Sequence, residues 1–257
     1  MFKPDDIQRT RPERYSLAEW RQRLELAACY RVFAQRGWSE EIFNHITLRL
    51  DGPTRGYLIN PFGLHFGEVT AGNLVKVDVA GNALEDTPHL VNRAGFVIHS
   101  AIHGARDDAH CIIHTHDPHG IAVACKPGGL ALDNFYGAFL HGRVAYHDFE
   151  GVAVHEAEQP RLVASIGAKS CLILRSHGLL VAERDLSSAF YWYYVLQRAC
   201  QVQVLSQSMP GHNLPISDDA YRVSSTGVQD SDPQRDIYPK VFAAAVRRAG
   251  VTIETVT

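Results

Sequence analysis

The sequence of 257 residues has no apolar run of about 18 residues or more, so it lacks a segment that could cross a membrane as a helix. Its first residues, through Ser16, lack the apolar core of a secretory signal peptide. It also lacks an excess of either charge, because 28 Asp+Glu oppose 25 Lys+Arg and the formal net charge is −3. This balance and the dispersed basic residues disfavour nucleic acid and anionic membranes, and we predict neither as a partner.

Cysteine is scarce, and its pattern argues against a disulfide framework. The five cysteines are an odd number, and none stands in a CxxC pair. They lie inside apolar stretches, at Cys29, Cys111, Cys125, Cys171 and Cys200. We therefore expect reduced core residues in a cytoplasmic protein.

Histidine, by contrast, is abundant and clustered. The chain has 14 histidines, and six of them fall within 21 residues: His99, His103, His110, His114, His116 and His119. Because histidine is the commonest metal ligand and a proton carrier near neutral pH, this cluster is the first place to look for chemistry.

Helix and strand signals alternate along the chain. The capping-box pattern Ser16-Leu-Ala-Glu19 predicts a helix that runs to about Gln35 and that Gly37 ends. Strand patterns follow at 46–50 and 57–59, and further strands and helices alternate after them. Strands mixed with helices, including neighbouring strands joined by hairpins, favour one mixed-sheet α/β domain over a doubly wound parallel fold.

We predict three parts: an N-terminal arm at 1–15, the α/β domain at 16–207 and a C-terminal tail at 208–257. Residues 208–236 are rich in Pro, Ser and Asp, which predicts irregular structure, and a short helix is predicted at about 239–249.

A run of five bulky residues predicts an interface. The residues at 190–194 are all aromatic and point around a helix in every direction, so one face needs a partner beyond the helix's own domain. We expect the tail helix to dock on a neighbouring subunit; the alternative is that it folds back and covers the aromatic residues of its own chain.

His114 and His116 end an apolar strand and are separated by one residue. Such residues point to the same face of a strand, about 6.6 Å apart, so both imidazoles could reach one ion at about 2.0–2.1 Å. His177, in Arg175-Ser-His-Gly178, also follows an apolar strand and is the candidate third ligand. Three histidines with an open fourth position are typical of catalytic metal sites. The alternative is a pair of ordinary polar residues at a strand end.

His99 and His103 form a competing pair, because they stand at i and i+4 of a predicted helix. The metalloprotease pattern places Glu after the first histidine, whereas this chain has Ser100, so that pattern lacks its base. We expect His99 to line the pocket or to pack within the helix layer.

Four sequence motifs are shared with one known family. They are Cys111-Ile-Ile-His-Thr-His-Asp-Pro-His119, Tyr146-His-Asp-Phe-Glu-Gly151, Leu174-Arg-Ser-His-Gly-Leu-Leu180 and Leu196-Gln-Arg-Ala-Cys-Gln201. In these motifs the chain resembles the class II aldolase/adducin family over roughly residues 17–207. The second and fourth motifs favour the adducin-like bacterial branch over the sugar-phosphate aldolases.

The resemblance implies a fold, a metal and an assembly. The implied fold is a single three-layer α/β/α domain with a mixed, largely antiparallel central sheet. His114, His116 and His177 match the family's three ligands for one divalent metal per subunit, with zinc expected first and manganese, cobalt or iron as alternatives. Family aldolases are tetramers with active sites between subunits, so a homotetramer that acts on a small molecule is implied.

One departure from the family concerns the catalytic base. The aldolases carry a catalytic glutamate 19 positions before the first ligand, where this chain has Gly95. A retro-aldol reaction needs a base for the hydroxyl proton. The remaining candidates are His119, His45, Tyr136 or a hydroxide at the metal.

A second departure concerns phosphate. Two small hydroxyl residues that hold the sugar phosphate correspond to Arg93 and Ala94. The glycine-rich phosphate loop corresponds to Glu41-Ile-Phe-Asn-His45, which keeps only Asn44, and the next turn keeps Gly63.

Bulky side chains in these loops argue against a phosphorylated sugar. A phosphate cradle needs small residues and exposed N–H groups, and Phe43 and Phe62 would crowd it. Arg93 could instead grip a carboxylate with two hydrogen bonds, or could be a surface residue at a helix start. Asn44, Gly63 and Arg93 are thus the candidate substrate-binding residues.

Two classes of function remain open at this point. The first is a divalent-metal-dependent lyase, an aldolase or decarboxylase with a dehydratase as a variant, which acts on a small hydroxy-carbonyl or carboxylate substrate through a metal-stabilised enolate. Decarboxylation fits the missing glutamate, because loss of CO₂ needs no prior deprotonation. The second is a non-catalytic, adducin-like structural or interaction protein, which would have no need of three histidine ligands.

Overall fold

The computed structural model describes residues 1–51, 56–151, 156–231 and 237–257, and a seven-stranded sheet forms its centre. The strands are β1 (His45–Arg49), β2 (Tyr57–Ile59), β3 (Val75–Val77), β4 (Cys111–Thr115), β5 (Val144–His147), β6 (Cys171–Leu174) and β7 (Gly178–Glu183). The helices are α1 (Pro4–Thr10), α2 (Leu17–Gln35), α3 (Arg93–Ala105), α4 (Pro118–Ala124), α5 (Phe135–Phe139), α6 (Gln159–Ile166), α7 (Leu186–Gln207), α8 (Asp218–Ser231), α9 (Ile237–Arg248) and α10 (Ile253–Val256). Two short 3₁₀ turns lie at Phe66–Glu68 and Glu156–Glu158.

The sheet is mixed and largely antiparallel, as predicted. Its strand order is β3-β2-β1-β4-β7-β6-β5, and among the described strands β5 and β6 are the parallel pair. In the middle, β4 pairs with β1 on one side and with β7 on the other, both antiparallel. His114 consequently stands opposite His45 on β1 and opposite Leu180 on β7.

Helices cover both faces of the sheet, which gives three layers. Cys111 and Ile113 of β4 belong to the core beneath α2 and α7, whereas Ile112 belongs to the core beneath α3 and α6. This alternation follows from the two-residue period of a strand. By the same period, His114 and His45 lie on the face that α3 covers.

The first long helix begins and ends where the sequence predicts. The Ser16 hydroxyl oxygen accepts a hydrogen bond from the backbone N–H of Glu19, and Gly37, with a φ of 66°, follows the last turn. The second half of the predicted capping box is wrong, because the Glu19 carboxylate pairs instead with buried Arg23 and with Lys76. One ion pair within α2 and one between α2 and β3 thus take the place of the local backbone contact.

The N-terminal residues contain a helix that the sequence analysis missed. Helix α1 buries Ile7 against α2, and the Trp20 indole N–H donates a hydrogen bond to the Thr10 hydroxyl at 3.1 Å. Pro4 occupies the first turn of α1, where its lack of an N–H has no cost.

The expectation of an irregular segment at 208–236 is wrong for Asp218–Ser231, which forms α8. Two aspartates in its first turn favour the positive end of the helix dipole, and Tyr221 stacks on His141 at 5.2 Å between ring centroids. The residues at 232–236 lie outside the described chain.

For the tail helix, the structure shows the alternative, in which the helix folds back on its own chain. Helix α9 packs on α7 of its own chain, with ring centroids 5.2 Å apart for Phe190 and Phe242 and 5.0 Å apart for Tyr191 and Tyr238. Residues 190–193 are therefore buried without a second chain, and Tyr194 is partly exposed. Among the described residues, no helix is both long and apolar enough to span a membrane.

Candidate metal centre

His114 is the fourth residue of β4, and its ring is almost wholly buried. Its Nδ1 lies 2.9 Å from the carbonyl oxygen of Leu179 on the neighbouring strand β7. A carbonyl oxygen can only accept, so Nδ1 carries the proton and donates it. In the neutral ring, Nε2 is then left with a free lone pair.

His116 follows directly after β4 and is oriented by a carboxylate. Its Nδ1 lies 2.8 Å from Oε2 of Glu40, in the loop before β1. An ionised carboxylate accepts only, so this contact also places the imidazole proton on Nδ1. Carboxylate partners of this kind fix the ring orientation of metal-binding histidines. The sequence analysis missed Glu40, because no local pattern links it to a residue 76 positions away.

A tight turn between β6 and β7 brings His177 to the other two histidines. Ser176 has a positive φ of 56°, and the backbone N–H of His177 donates to the Leu174 carbonyl. At Gly178, a Cβ would lie 2.3 Å from the carbonyl oxygen of Thr115. Only glycine lets β7 begin this close to the end of β4.

The three imidazoles converge through their Nε2 atoms. His116 Nε2 lies 3.1 Å from His114 Nε2 and 3.0 Å from His177 Nε2. In a tetrahedral zinc site with bonds of about 2.0–2.1 Å, two ligand nitrogens lie roughly 3.3 Å apart. His114 and His116 both hold a proton on Nδ1, so in the neutral rings their Nε2 lone pairs face each other, an arrangement that a shared cation stabilises. The donor set therefore fits one divalent ion.

The charge states of the rings also suit a metal. Burial, followed by repulsion from neighbouring imidazoles, lowers the pKa of His114 well below its ordinary value. Burial and the proximity of His116 lower the pKa of His177 to about 4. Both rings are thus neutral near pH 7, the form that binds a metal ion.

The three histidines line a cavity of about 540 Å³, a size suited to a small molecule. Its walls are largely apolar, with Phe43, Phe62, Ile98, Ile121 and Phe149 among the lining residues. The three phenylalanines are also partly exposed to solvent. A ligand in this cavity would therefore meet partly exposed phenylalanine side chains as well as the three histidines.

His45 is the candidate base that lines this cavity. Its ring centroid is 5.1 Å from that of His114. At Gly95 of α3, a Cβ would lie 2.1 Å from His45 Nε2. A side chain at position 95 and the imidazole of His45 would therefore occupy the same space. The imidazole of His45 thus fills the space in which a side chain at position 95 would begin.

The other two candidate bases lie elsewhere in the chain. His119 lines a second cavity of about 460 Å³ together with Arg36 and Arg198, and Tyr136 packs edge-on against Tyr194. Within the described chain, neither is part of the lining of the first cavity. The structure therefore does not bring these two residues to the three histidines of their own subunit.

The three candidate substrate-binding residues differ in their positions relative to the cavity. Asn44 is buried just before β1, and its side-chain amide has no hydrogen-bond partner within the described parts of the chain. Gly63 has a φ of 97° and follows Phe62, which lines the cavity. Arg93 is the first residue of α3, but its side chain lies outside the described structure.

His99 and His103 do not chelate as a pair. Both contact the hydroxyl oxygen of Thr47, at 2.7 Å each, and their ring centroids are 6.4 Å apart. The competing metal site is therefore not formed, and both rings pack between α3 and the sheet.

Comparisons with known proteins agree on one family. Residues 24–204 match the family model of the Class II Aldolase and Adducin N-terminal domain. A Pseudomonas aeruginosa protein whose name places it in aldolase class 2 is 46% identical over 205 residues, which are 80% of this chain and 77% of that protein. Rat alpha-adducin is 44% identical over 200 residues, which are 77% of this chain but only 27% of the adducin.

Solved structures give the same result. An aldolase II superfamily protein from Pseudomonas syringae superposes with a TM-score of 0.86 at 38% identity, over 92% of this chain and 95% of that one. An L-fuculose 1-phosphate aldolase from Glaciozyma antarctica superposes with a TM-score of 0.78 at 27% identity, over 95% of this chain and 97% of that one.

Proposed function

Because the chain belongs to the class II aldolase and adducin family, we propose that it is a divalent-metal-dependent carbon–carbon lyase. The observation that carries the proposal is the convergence of three histidines on one point of a cavity. A purely structural domain has no need to hold one ring nitrogen from each of three histidines within 4.8 Å of one another. The alternative, a non-catalytic adducin-like module, leaves that arrangement without a purpose.

Each histidine would contribute Nε2 to the ion, and the carbonyl of Leu179 and the carboxylate of Glu40 would hold two of the rings in place. A bound divalent cation would polarise a substrate carbonyl and stabilise the negative charge that forms when a neighbouring carbon–carbon bond breaks. The apolar walls would exclude water from the reacting carbon, which strengthens such electrostatic stabilisation.

The cavity walls favour a substrate without a phosphate group. Phe43 and Phe62 stand where a phosphate cradle would need small residues with exposed backbone N–H groups. We therefore propose a small hydroxy-carbonyl or carboxylate substrate. Cleavage of the retro-aldol type and decarboxylation both fit, and zinc is the first choice of metal, with manganese, cobalt and iron as alternatives.

An activity screen tests this proposal. Protein loaded with zinc or manganese is assayed against hydroxy-keto acids, simple hydroxy-aldehydes and their phosphate esters, with aldehyde or CO₂ release as the signal. We expect turnover of an unphosphorylated substrate that His116→Ala abolishes and that His212→Ala, a change of an exposed histidine, leaves intact. Efficient turnover of phosphate esters alone would contradict the substrate class, and no turnover despite bound metal would favour the adducin-like alternative.

A further inference from the structure

A buried chain of hydrogen bonds runs from the cavity into the layer between α3 and the sheet. His45 Nδ1 lies 2.9 Å from His99 Nε2, and His99 Nδ1 lies 2.7 Å from the Thr47 hydroxyl oxygen. The same hydroxyl lies 2.7 Å from His103 Nε2. His103 Nδ1 ends the chain, 2.8 Å from the carbonyl oxygen of Ala109. We refer to His45, His99, Thr47 and His103 as the histidine relay.

The direction of every hydrogen bond in the relay follows from its last member. The Ala109 carbonyl can only accept, so His103 Nδ1 carries a proton and, in a neutral ring, His103 Nε2 must accept. Thr47 has one hydroxyl proton, which it donates to His103, so its oxygen accepts from His99 Nδ1–H. His99 Nε2 then has a lone pair, and His45 must donate to it from Nδ1.

The relay rings are neutral because they are buried. Burial lowers the pKa of His99 well below its ordinary value and lowers the pKa of His103 to about 3. A charged imidazole in this layer would be far from water, which is strongly unfavourable. His45 is buried as well, and in its neutral ring the proton assignment of the preceding paragraph leaves a lone pair on Nε2.

This lone pair lies on the cavity side of the ring. Nδ1 and Nε2 flank Cε1 and point in different directions, and Nδ1 faces His99. Nε2 lies beside Gly95, and both His45 and Gly95 line the cavity of the three histidines. A substrate hydroxyl at this wall would thus meet an acceptor rather than a donor.

We propose that the relay holds His45 as the Nδ1–H tautomer, so that His45 Nε2 accepts a hydrogen bond from a hydroxyl group of the bound substrate. His99, Thr47 and His103 are positioning residues, because they act on the substrate through His45. The identity of the donor rests on the proposed function, whereas the tautomer depends on this chain alone. The proposal selects His45 over His119 and Tyr136 as the group that meets the substrate hydroxyl.

The tautomer is measured by ¹⁵N NMR of histidine-labelled, metal-free protein, with the His45 signals assigned by their loss in His45→Gln. We expect protonated Nδ1 and unprotonated Nε2 at His45. In Thr47→Val, which removes the hydroxyl but keeps the branched shape, the proton of His45 should spread over both nitrogens. Thr47→Ser, which restores the hydroxyl, should recover the wild-type spectrum. Circular dichroism checks that both variants are folded.

Two results would overturn the relay: a protonated Nε2 at His45 in the wild type, or the same His45 spectrum in Thr47→Val and in the wild type. The contact with a ligand is tested on zinc-loaded protein with glycolate, which has a hydroxyl, and acetate, which does not. We expect glycolate, and not acetate, to shift the His45 Nε2 signal. If glycolate perturbs the signals of His114 while His45 Nε2 stays unmoved, the substrate contact is wrong. Failure to bind zinc would contradict the proposed function but not the tautomer.

Discussion

The carboxylate of Glu40 lies 2.8 Å from Nδ1 of His116, on the side of the ring opposite the other two histidines. This contact holds the proton of His116 on Nδ1 and leaves Nε2 free for a metal ion. The loop before β1 and the end of β4 are thus held together at His116, the residue whose ring must be oriented to bind the metal.

The Glu40 contact predicts a loss of metal affinity in Glu40→Gln. The amide oxygen can still accept from Nδ1, but the negative charge is gone, so we expect an affinity about tenfold lower, the smaller end of the usual range for such partners. Titration against a chelating dye measures it. Glu41→Gln, a change of the exposed neighbour, is the matched control and should bind as the wild type does. Equal affinity in all three proteins would show that Glu40 does not orient the ligand.

The close approach of Gly95 and His45 predicts a specific clash. In Gly95→Ala, the new Cβ would fall 2.1 Å from the imidazole, so we expect the free energy of unfolding to drop by about 1–3 kcal/mol. Gly104→Ala lies in the same helix and meets nothing closer than 4.0 Å, so it should be tolerated. Urea unfolding measures the free energy of unfolding of both variants and of the wild type.

A double variant identifies the origin of that loss. In Gly95→Ala combined with His45→Gly, no imidazole occupies the space of the new Cβ. The double variant should therefore lose less free energy of unfolding than the sum of the losses in the two single variants. Simple additivity would mean that His45 is not what excludes a side chain at position 95.

The turn before β7 predicts a second glycine effect, this time on metal binding. In Gly178→Ala, the Cβ would fall 2.3 Å from the Thr115 carbonyl, a backbone atom that cannot move alone. We expect β7 to shift and His177 to leave the other two histidines, so metal content should drop sharply. Gly128→Ala, which meets nothing within 4 Å, is the control. Normal metal content in folded Gly178→Ala would contradict the role of this turn.

Buried His103 predicts how stability depends on pH. Its pKa is about 3 in the folded chain and 6.5 ordinarily, mainly because of burial, with a smaller contribution from Arg49. Below pH 6.5 the unfolded chain binds the proton more readily, so stability is full above 6.5 and falls as the pH drops towards 3. His103→Gln should reduce that slope by at most about 1.4 kcal/mol per pH unit. Urea titrations at several pH values measure it, and an unchanged slope, equal to that of exposed His212→Gln, would be the contrary result.

Membership of the family, rather than the aromatic run, predicts that the protein is a tetramer. Light scattering should give a particle of four chains of 28.5 kDa each. A monodisperse monomer at micromolar concentration would reject the tetramer. It would also reject any role for His119 or Tyr136 in a neighbouring subunit's cavity.

The parts of the fold that depend on local chemistry could be predicted from the sequence. The Ser16 cap, the Gly37 stop and the alternating strands lie where the patterns place them, because each depends on residues a few positions apart. The histidines at strand ends were also predictable, since β4 and β7 both end or begin at the same edge.

The remaining parts depend on contacts between distant residues. The contact of Glu40 with His116, the relay from His45 to His103 and the packing of α9 on α7 each join segments dozens of residues apart. The sequence identifies His99 and His103 as a pair on one helix face. It does not show that Thr47, on a strand, lies between them.

The most direct test of the whole account is the metal content of the purified protein. Mass spectrometry of dissolved metal should find about one divalent ion per chain in the wild type and in His212→Ala. In His114→Ala, His116→Ala and His177→Ala, it should find far less, because each change removes one of three ligands. If these three variants keep their metal, or if the wild type binds none even when zinc is supplied, the metal centre is not where we place it.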